Sequence, residues 1–79
     1  MTESQRYYLE EYERYKDVVI TPGTYKLKSS GGNFIVLYEV ISVDETEQFV
    51  LLRNVKNPDS SKRKTLHWAR KNLESYQIP

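Results

Sequence analysis

A chain of 79 residues with a formal net charge of +1 offers material for one domain, near the lower size limit at which a hydrophobic core holds without help. It has no cysteine, which excludes disulfides, zinc–thiolate sites and thiol nucleophiles, and no apolar run approaches membrane-spanning length. Charge is unevenly distributed: from Arg53 to Lys71 seven basic residues (Arg53, Lys56, Lys62, Arg63, Lys64, Arg70, Lys71) stand against one acid, Asp59, and this excess of six leaves −5 for the rest. The first residues, Met1 to Arg6, show no apolar signal region, so a cytoplasmic protein is expected. A core in so short a chain must be aromatic-rich, and the seven tyrosines fit that need.

The segment from about Thr2 to Asp17 lacks Gly, Pro and β-branched runs and reads as an amphipathic helix. Thr2 and Gln5 have capping-box spacing, and Glu3 suits the positive end of the helix dipole. Tyr8, Tyr12, Tyr15 and Val19 recur at helical spacing along one side, with Arg6, Glu10, Glu13 and Asp17 on the other. The spacing predicts a tyrosine packing face with its hydroxyls at the rim, and an ion pair between Glu10 and Arg14. Tyr7 points away from that stripe and is the helix tyrosine best placed to meet a partner.

Thr21-Pro22-Gly23 breaks the helix, and the alternation from Thr24 to Lys28 reads as a strand with Tyr25 and Leu27 on one side. After a turn at Ser29-Ser30-Gly31-Gly32, the stretch from Asn33 to Asp44 is so rich in β-branched residues that it reads as one long strand, bent or covered on both faces. Asp44-Glu45-Thr46-Glu47 turns the chain, and Gln48 to Val55 returns as a third strand. Asn57-Pro58-Asp59-Ser60 carries a strong turn signal. Lys62 to Trp68 then forms a fourth strand with Leu66 and Trp68 inward and Thr65 and His67 on the other face; the competing reading starts a helix at Thr65 as its cap. Ala69 to Tyr76 ends in a short helix or 3₁₀ turn that brings Leu73 and Tyr76 to the core.

From Pro22 to Tyr76 this layout resembles small bacterial and phage domains with SH3-like barrels. The matching motifs are Pro22-Gly23-Thr24-Tyr25-Lys26 at the opening, the aliphatic hairpin from Phe34 to Leu52, and Trp68-Ala69-Arg70 before Leu73 and Tyr76. The resemblance implies a fold and no activity, because such barrels host many functions. The expected fold is therefore α+β in a single domain over residues 1–79. An amphipathic helix (residues 1–19) packs on a four- to five-stranded antiparallel SH3-like barrel or meander (residues 20–79), which closes with a short helix or 3₁₀ turn.

An enzyme needs an activated nucleophile, a tuned acid–base pair or a metal. The sole histidine, His67, has no Cys, His or carboxylate at ligand spacing and reads as a surface or sheet-face imidazole. Glu10, Glu11 and Glu13 alternate with Arg14 and Lys16 on a solvated helix face. Gly31-Gly32 lacks the pattern of a phosphate loop, and Asp44, Glu45 and Glu47 lack calcium-loop spacing. No catalytic residue, cofactor or metal ligand is expected.

An acidic, Tyr-bearing helix and a basic region on the opposite side point to a small interaction protein that binds and modulates a protein partner. Accessory proteins of phages and mobile elements have this character. The partner-binding residues are then Arg53, Lys56, Lys62, Arg63, Lys64, Arg70, Lys71 and Tyr7. The alternative is a nucleic-acid-binding domain, with the same basic face over residues 53–71 tracking phosphates of DNA or RNA and Trp68, Tyr38 or His67 stacking on bases. Self-association through the tyrosine stripe or an unpaired sheet edge is a subsidiary expectation.

Overall fold

The first helix forms where its cap signals place it. In a computed structural model that describes residues 2–76, α1 spans Glu3–Tyr15. Both arms of the capping box are made: Thr2 Oγ1 accepts from the Gln5 N–H at 3.2 Å, and Gln5 Oε1 accepts from the Thr2 N–H at 3.0 Å. The ion pair on its surface joins Glu13 to Lys16 at 2.6 Å, not Glu10 to Arg14. An extended segment then leads through Ile20, which is buried, to Pro22.

Five strands follow: β1 (Gly23–Leu27), β2 (Leu37–Asp44), β3 (Phe49–Asn54), β4 (Asn57–Thr65) and, after the helix α2 (Leu66–Asn72), β5 (Leu73–Ser75). They form one antiparallel sheet in the order β4-β3-β2-β1-β5. The fold is α+β as expected, and the sheet is an open meander rather than a closed barrel, with β4 and β5 as its edges. Between β1 and β2 a tight turn is closed by reciprocal Gly31–Phe34 backbone bonds of 3.0 and 3.1 Å. Gly32 sits in it at φ +64°, which a side chain would strain.

The long strand expected from Asn33 begins only at Leu37, because residues 31–34 are spent on that turn. Its expected bend is present: the β2–β3 register shifts between Val40 and Ser42, so Ile41 bulges out. A second irregularity answers the turn signal at Asn57-Pro58-Asp59-Ser60. The chain reverses at Val55-Lys56, and Asn57 already pairs with Asn54; the next pair is Ser61 with Arg53, which leaves Pro58, Asp59 and Ser60 out of register. Proline removes a ladder donor, so its place at such an irregularity on an edge strand is chemically consistent.

The fourth strand stops at Thr65, and the helix reading of Thr65 prevails over the strand reading to Trp68. Thr65 has extended backbone angles and its Oγ1 accepts the Trp68 N–H at 3.1 Å, capping α2. Leu66, Ala69 and Leu73 then fall on one side and are buried with Ile20, Tyr25, Val40, Val50 and Leu52 as the core. Leu27, Tyr38, Val43 and Trp68 pack around it half-buried. The Tyr25 hydroxyl accepts the Thr21 N–H at 3.1 Å, which satisfies the polar end of a buried ring. The expected short closing helix is α2, and Leu73 follows it into the core at the start of β5, whereas Tyr76 is only half-buried and lies outside the core cluster.

The tyrosine stripe is the larger correction. α1 buries no residue: Tyr8 is 70% exposed and Tyr12 44%, Tyr15 is half-buried, and Val19, expected as the stripe's last member, lies beyond the helix end and is 77% exposed. The helix rests on α2 and not on the sheet, so the core is complete without it. Its contact with α2 is polar at the centre and aromatic around it.

Candidate functional site

Strand alternation decides where the basic residues go. Residues paired across an antiparallel ladder share a face. Lys64 pairs with Val50 and Lys62 with Leu52, both buried, so these lysines lie on the core face, beside α2. Arg63 pairs with Leu51 and Arg53 with Ser61, on the outer face. The predicted single basic side is thus divided by the sheet. A run of three cations in a strand cannot share one face.

Several of these cations are engaged within the molecule. Arg53 meets Glu39 at 2.6 Å on the outer face, where Lys26 also pairs with Glu74 at 2.9 Å. The Lys26 ammonium holds the Glu74 carboxyl below its ordinary range. Arg63 lies over the Phe49 ring, 4.0 Å from its centroid. Arg70 Nε donates to the Val18 carbonyl at 3.1 Å, tying the segment after α1 to α2.

Lys71 holds α1. Its Nζ donates to Glu11 Oε1 at 2.7 Å, and His67 Nε2 approaches the same oxygen at 3.2 Å. The Glu11 side chain is only 14% exposed. Hydrogen bonds from Lys71 and then His67 hold its carboxyl below the ordinary range, and Glu11 in turn raises the Lys71 ammonium. The rings of Tyr8, Tyr12 and Tyr15 surround His67 with centroids at 6.4, 6.0 and 6.3 Å. His67 is therefore half-buried between two helices, not on a sheet face, and its Nδ1 has no hydrogen-bond partner among the described residues. Arg70 and Lys71, expected to face away from the acidic helix, are what fasten it. Tyr7 is 66% exposed, as expected, beside a shallow recess of about 170 Å³ that it lines with Glu10, Arg14 and Lys71.

Lys56, Lys62 and Lys64 remain. Among the described residues none of them has a carboxylate at ion-pair distance. Lys56 and Lys62 line a recess of about 300 Å³ with Tyr38, Asn54, Asn57 and Ser60. Tyr38 meets Trp68 edge-on at 6.5 Å, and Lys64 Nζ stands 5.1 Å from the Trp68 ring centroid. Three lysines thus surround a pair of half-buried aromatic rings at the open end of the sheet, with amide and hydroxyl groups between them. Tyr38 and Trp68 were foreseeable as stacking rings; Asn54, Asn57 and Ser60 were not, because their approach depends on the out-of-register segment of β4.

No group of His, Cys, Asp or Glu among the described residues is arranged to hold a metal ion, and no helix there is long and apolar enough to cross a membrane. Comparison with protein-family models, with curated proteins and with solved structures gave no match.

Proposed function

We propose that this chain is a small, non-catalytic interaction module that binds an acidic segment of a protein partner and modulates it by occupying that segment. The observation that supports this most is the unpaired lysine group Lys56, Lys62 and Lys64 around Tyr38 and Trp68. Of the other basic residues of the same segment, Arg53, Lys71 and Arg70 are spent on Glu39, Glu11 and a backbone carbonyl, and Arg63 lies over the Phe49 ring on the opposite face. Unpaired cations beside partly buried rings offer charge for carboxylates and a flat apolar surface for the chain that bears them. The resemblance to small bacterial and phage SH3-like domains belongs to the same proposal, as does a phage or mobile-element accessory role in the cytoplasm.

Nucleic acid is the second reading, favoured by the Lys64–Trp68 contact, since cations beside an aromatic ring also suit phosphates and bases. The division of the cations between two faces narrows the track available to a phosphate backbone. Trp68 fluorescence, titrated in parallel with a glutamate-rich peptide and a single-stranded oligonucleotide at low salt, separates the two. The peptide is expected to bind, and K62E and K64E to weaken it while leaving the fold's circular dichroism unchanged. Binding of the oligonucleotide alone, or of neither ligand, overturns the protein-binding reading.

A further inference from the structure

β4 is an edge strand whose outer backbone is free for pairing. It is paired through Thr65 to β3 on one side and, among the described residues, to no strand on the other. The phase of the ladder follows from one bond: the Leu66 N–H donates to the Gln48 carbonyl at 2.8 Å, flanking the Thr65–Phe49 pair. Hydrogen-bonded and non-hydrogen-bonded pairs alternate, so Lys64 and Lys62 spend their N–H and C=O groups on β3, whereas those of Arg63 and Ser61 point outward. The outer edge therefore presents donors and acceptors in alternation, with Lys62 and Lys64 on one face of the strand and Arg63 on the other.

We infer, resting on the function proposed above, that the occupant is an extended acidic peptide that adds to β4 as a sixth strand. Main-chain bonds to Ser61 and Arg63 supply the pairing, and side chains at alternate positions of the peptide fall opposite Lys62 and Lys64. Those two positions are acidic. The residue between them lies on the other face, beside the Arg63 guanidinium and the Phe49 ring it covers.

Three features select this occupant. A peptide strand offers donors and acceptors in the same repeat as the edge, whereas a phosphodiester backbone has no donor and leaves the Ser61 and Arg63 carbonyls unpaired. A second copy pairing through its own β4 sets Lys62, Arg63 and Lys64 against one another, and like charges directly opposite are destabilising. The lysines thus block edge-to-edge self-pairing, as charged edges commonly do, and the same charge attracts a strand of opposite sign. Pro58, which has no N–H, lies in the out-of-register part of β4, so the added strand is confined to the stretch from Ser61 to Thr65.

The test uses the whole chain and a short capped peptide of alternating Glu and Val. Binding is read by Trp68 fluorescence and by amide hydrogen exchange. Peptide addition is expected to slow exchange of the Ser61 and Arg63 amides, and K62E or K64E to weaken affinity about tenfold each. N-methylation of the peptide amides that face β4 removes donors without changing charge and is expected to abolish binding. Should the methylated peptide bind equally well, with Ser61 and Arg63 amides exchanging as before, the added-strand inference fails while the lysine site stands. If K62E and K64E bind the unmodified peptide as well as the native chain does, the inference and the proposed site fail together. Preferential binding of an oligonucleotide at the same salt overturns both in favour of nucleic acid.

Discussion

Thr65 stands at the point where two readings of the same residues diverge, and its hydroxyl decides between them. Replacing it with valine keeps the size and the β-branch that suit the end of β4, opposite Phe49, and removes only the acceptor for the Trp68 N–H. A seven-residue helix has no independent stability, so α2 depends on its cap and on Leu66 and Ala69 beneath it. Losing a threonine N-cap costs about 1 kcal/mol, and up to about 2. For a domain of this size each kcal/mol lowers Tm by about 4–8 °C. T65V and T65A are therefore expected to melt about 5–10 °C below the native chain, while T65S, which keeps the acceptor, stays close to it. Thermal unfolding followed by circular dichroism and by Trp68 fluorescence measures this directly. If T65V equals or exceeds native stability, strand propensity and not capping governs this junction, and the account of α2 is wrong.

Two further outcomes follow from burial and charge. Leu52, 1% exposed at the centre of the core, is expected to cost about 3 kcal/mol as L52A, a large share of the total stability of a small domain. V19A, on the exposed end of the tyrosine stripe, is expected to change stability by less than about 0.5 kcal/mol; urea unfolding of both variants checks the contrast, and a large loss in V19A refutes the open placement of the stripe. The second outcome concerns Glu11. Its folded-state pKa lies below the ordinary carboxylate range because Lys71 and then His67 hydrogen-bond to it, so its stabilising contribution is present above the unfolded-state pKa and is lost as pH falls through the folded one. Helicity measured across the acid range is expected to fall in the native chain as Glu11 protonates, with Glu74, paired to Lys26, contributing in the same window. E11Q is expected to lower helicity at neutral pH and to flatten the acid dependence; an unchanged acid profile in E11Q contradicts the role given to this carboxylate.

What was legible in the sequence is what local chemistry decides. The Thr2–Gln5 capping box, the start of β1 at Gly23, the alternation that buries Tyr25, and the strong apolar character of β2 and β3 all have short-range causes; the end of α1 does not, since the helix stops at Tyr15, well before the expected break at Pro22-Gly23. Legibility ends where two local signals compete or where a partner element decides. Thr65 suits both a strand and an N-cap, and burial of Leu66, Ala69 and Leu73 together tips it to the cap. Pro58 and Asp59 carry turn chemistry, yet the reversal occurs just before them and they occupy the irregularity that follows. Helical spacing correctly aligned Tyr8, Tyr12 and Tyr15, but spacing says only that residues share a side. That the side faces His67 and solvent, instead of a sheet, depends on where α2 lies.

Charge segregation along the chain does not persist as segregation in space. The acidic N-terminal part and the basic C-terminal part meet at Glu11 and Lys71, where attraction takes the place of the apolar burial that α1 lacks. Arg53 and Arg70 are absorbed in the same way, by a carboxylate on β2 and by a carbonyl before Ile20. Each of these contacts is local neutralisation, and each lowers the cationic field a distant polyanion would meet. Within the basic segment, the lysines without a carboxylate among the described residues are those that strand geometry keeps from the acids: Lys62 and Lys64 on the core face of an edge strand, and Lys56 at the turn leading into it. An edge strand has one further unsatisfied resource, its outward backbone. Charge and backbone pairing are therefore available at one place on the molecule, and a ligand must be both anionic and extended to use both.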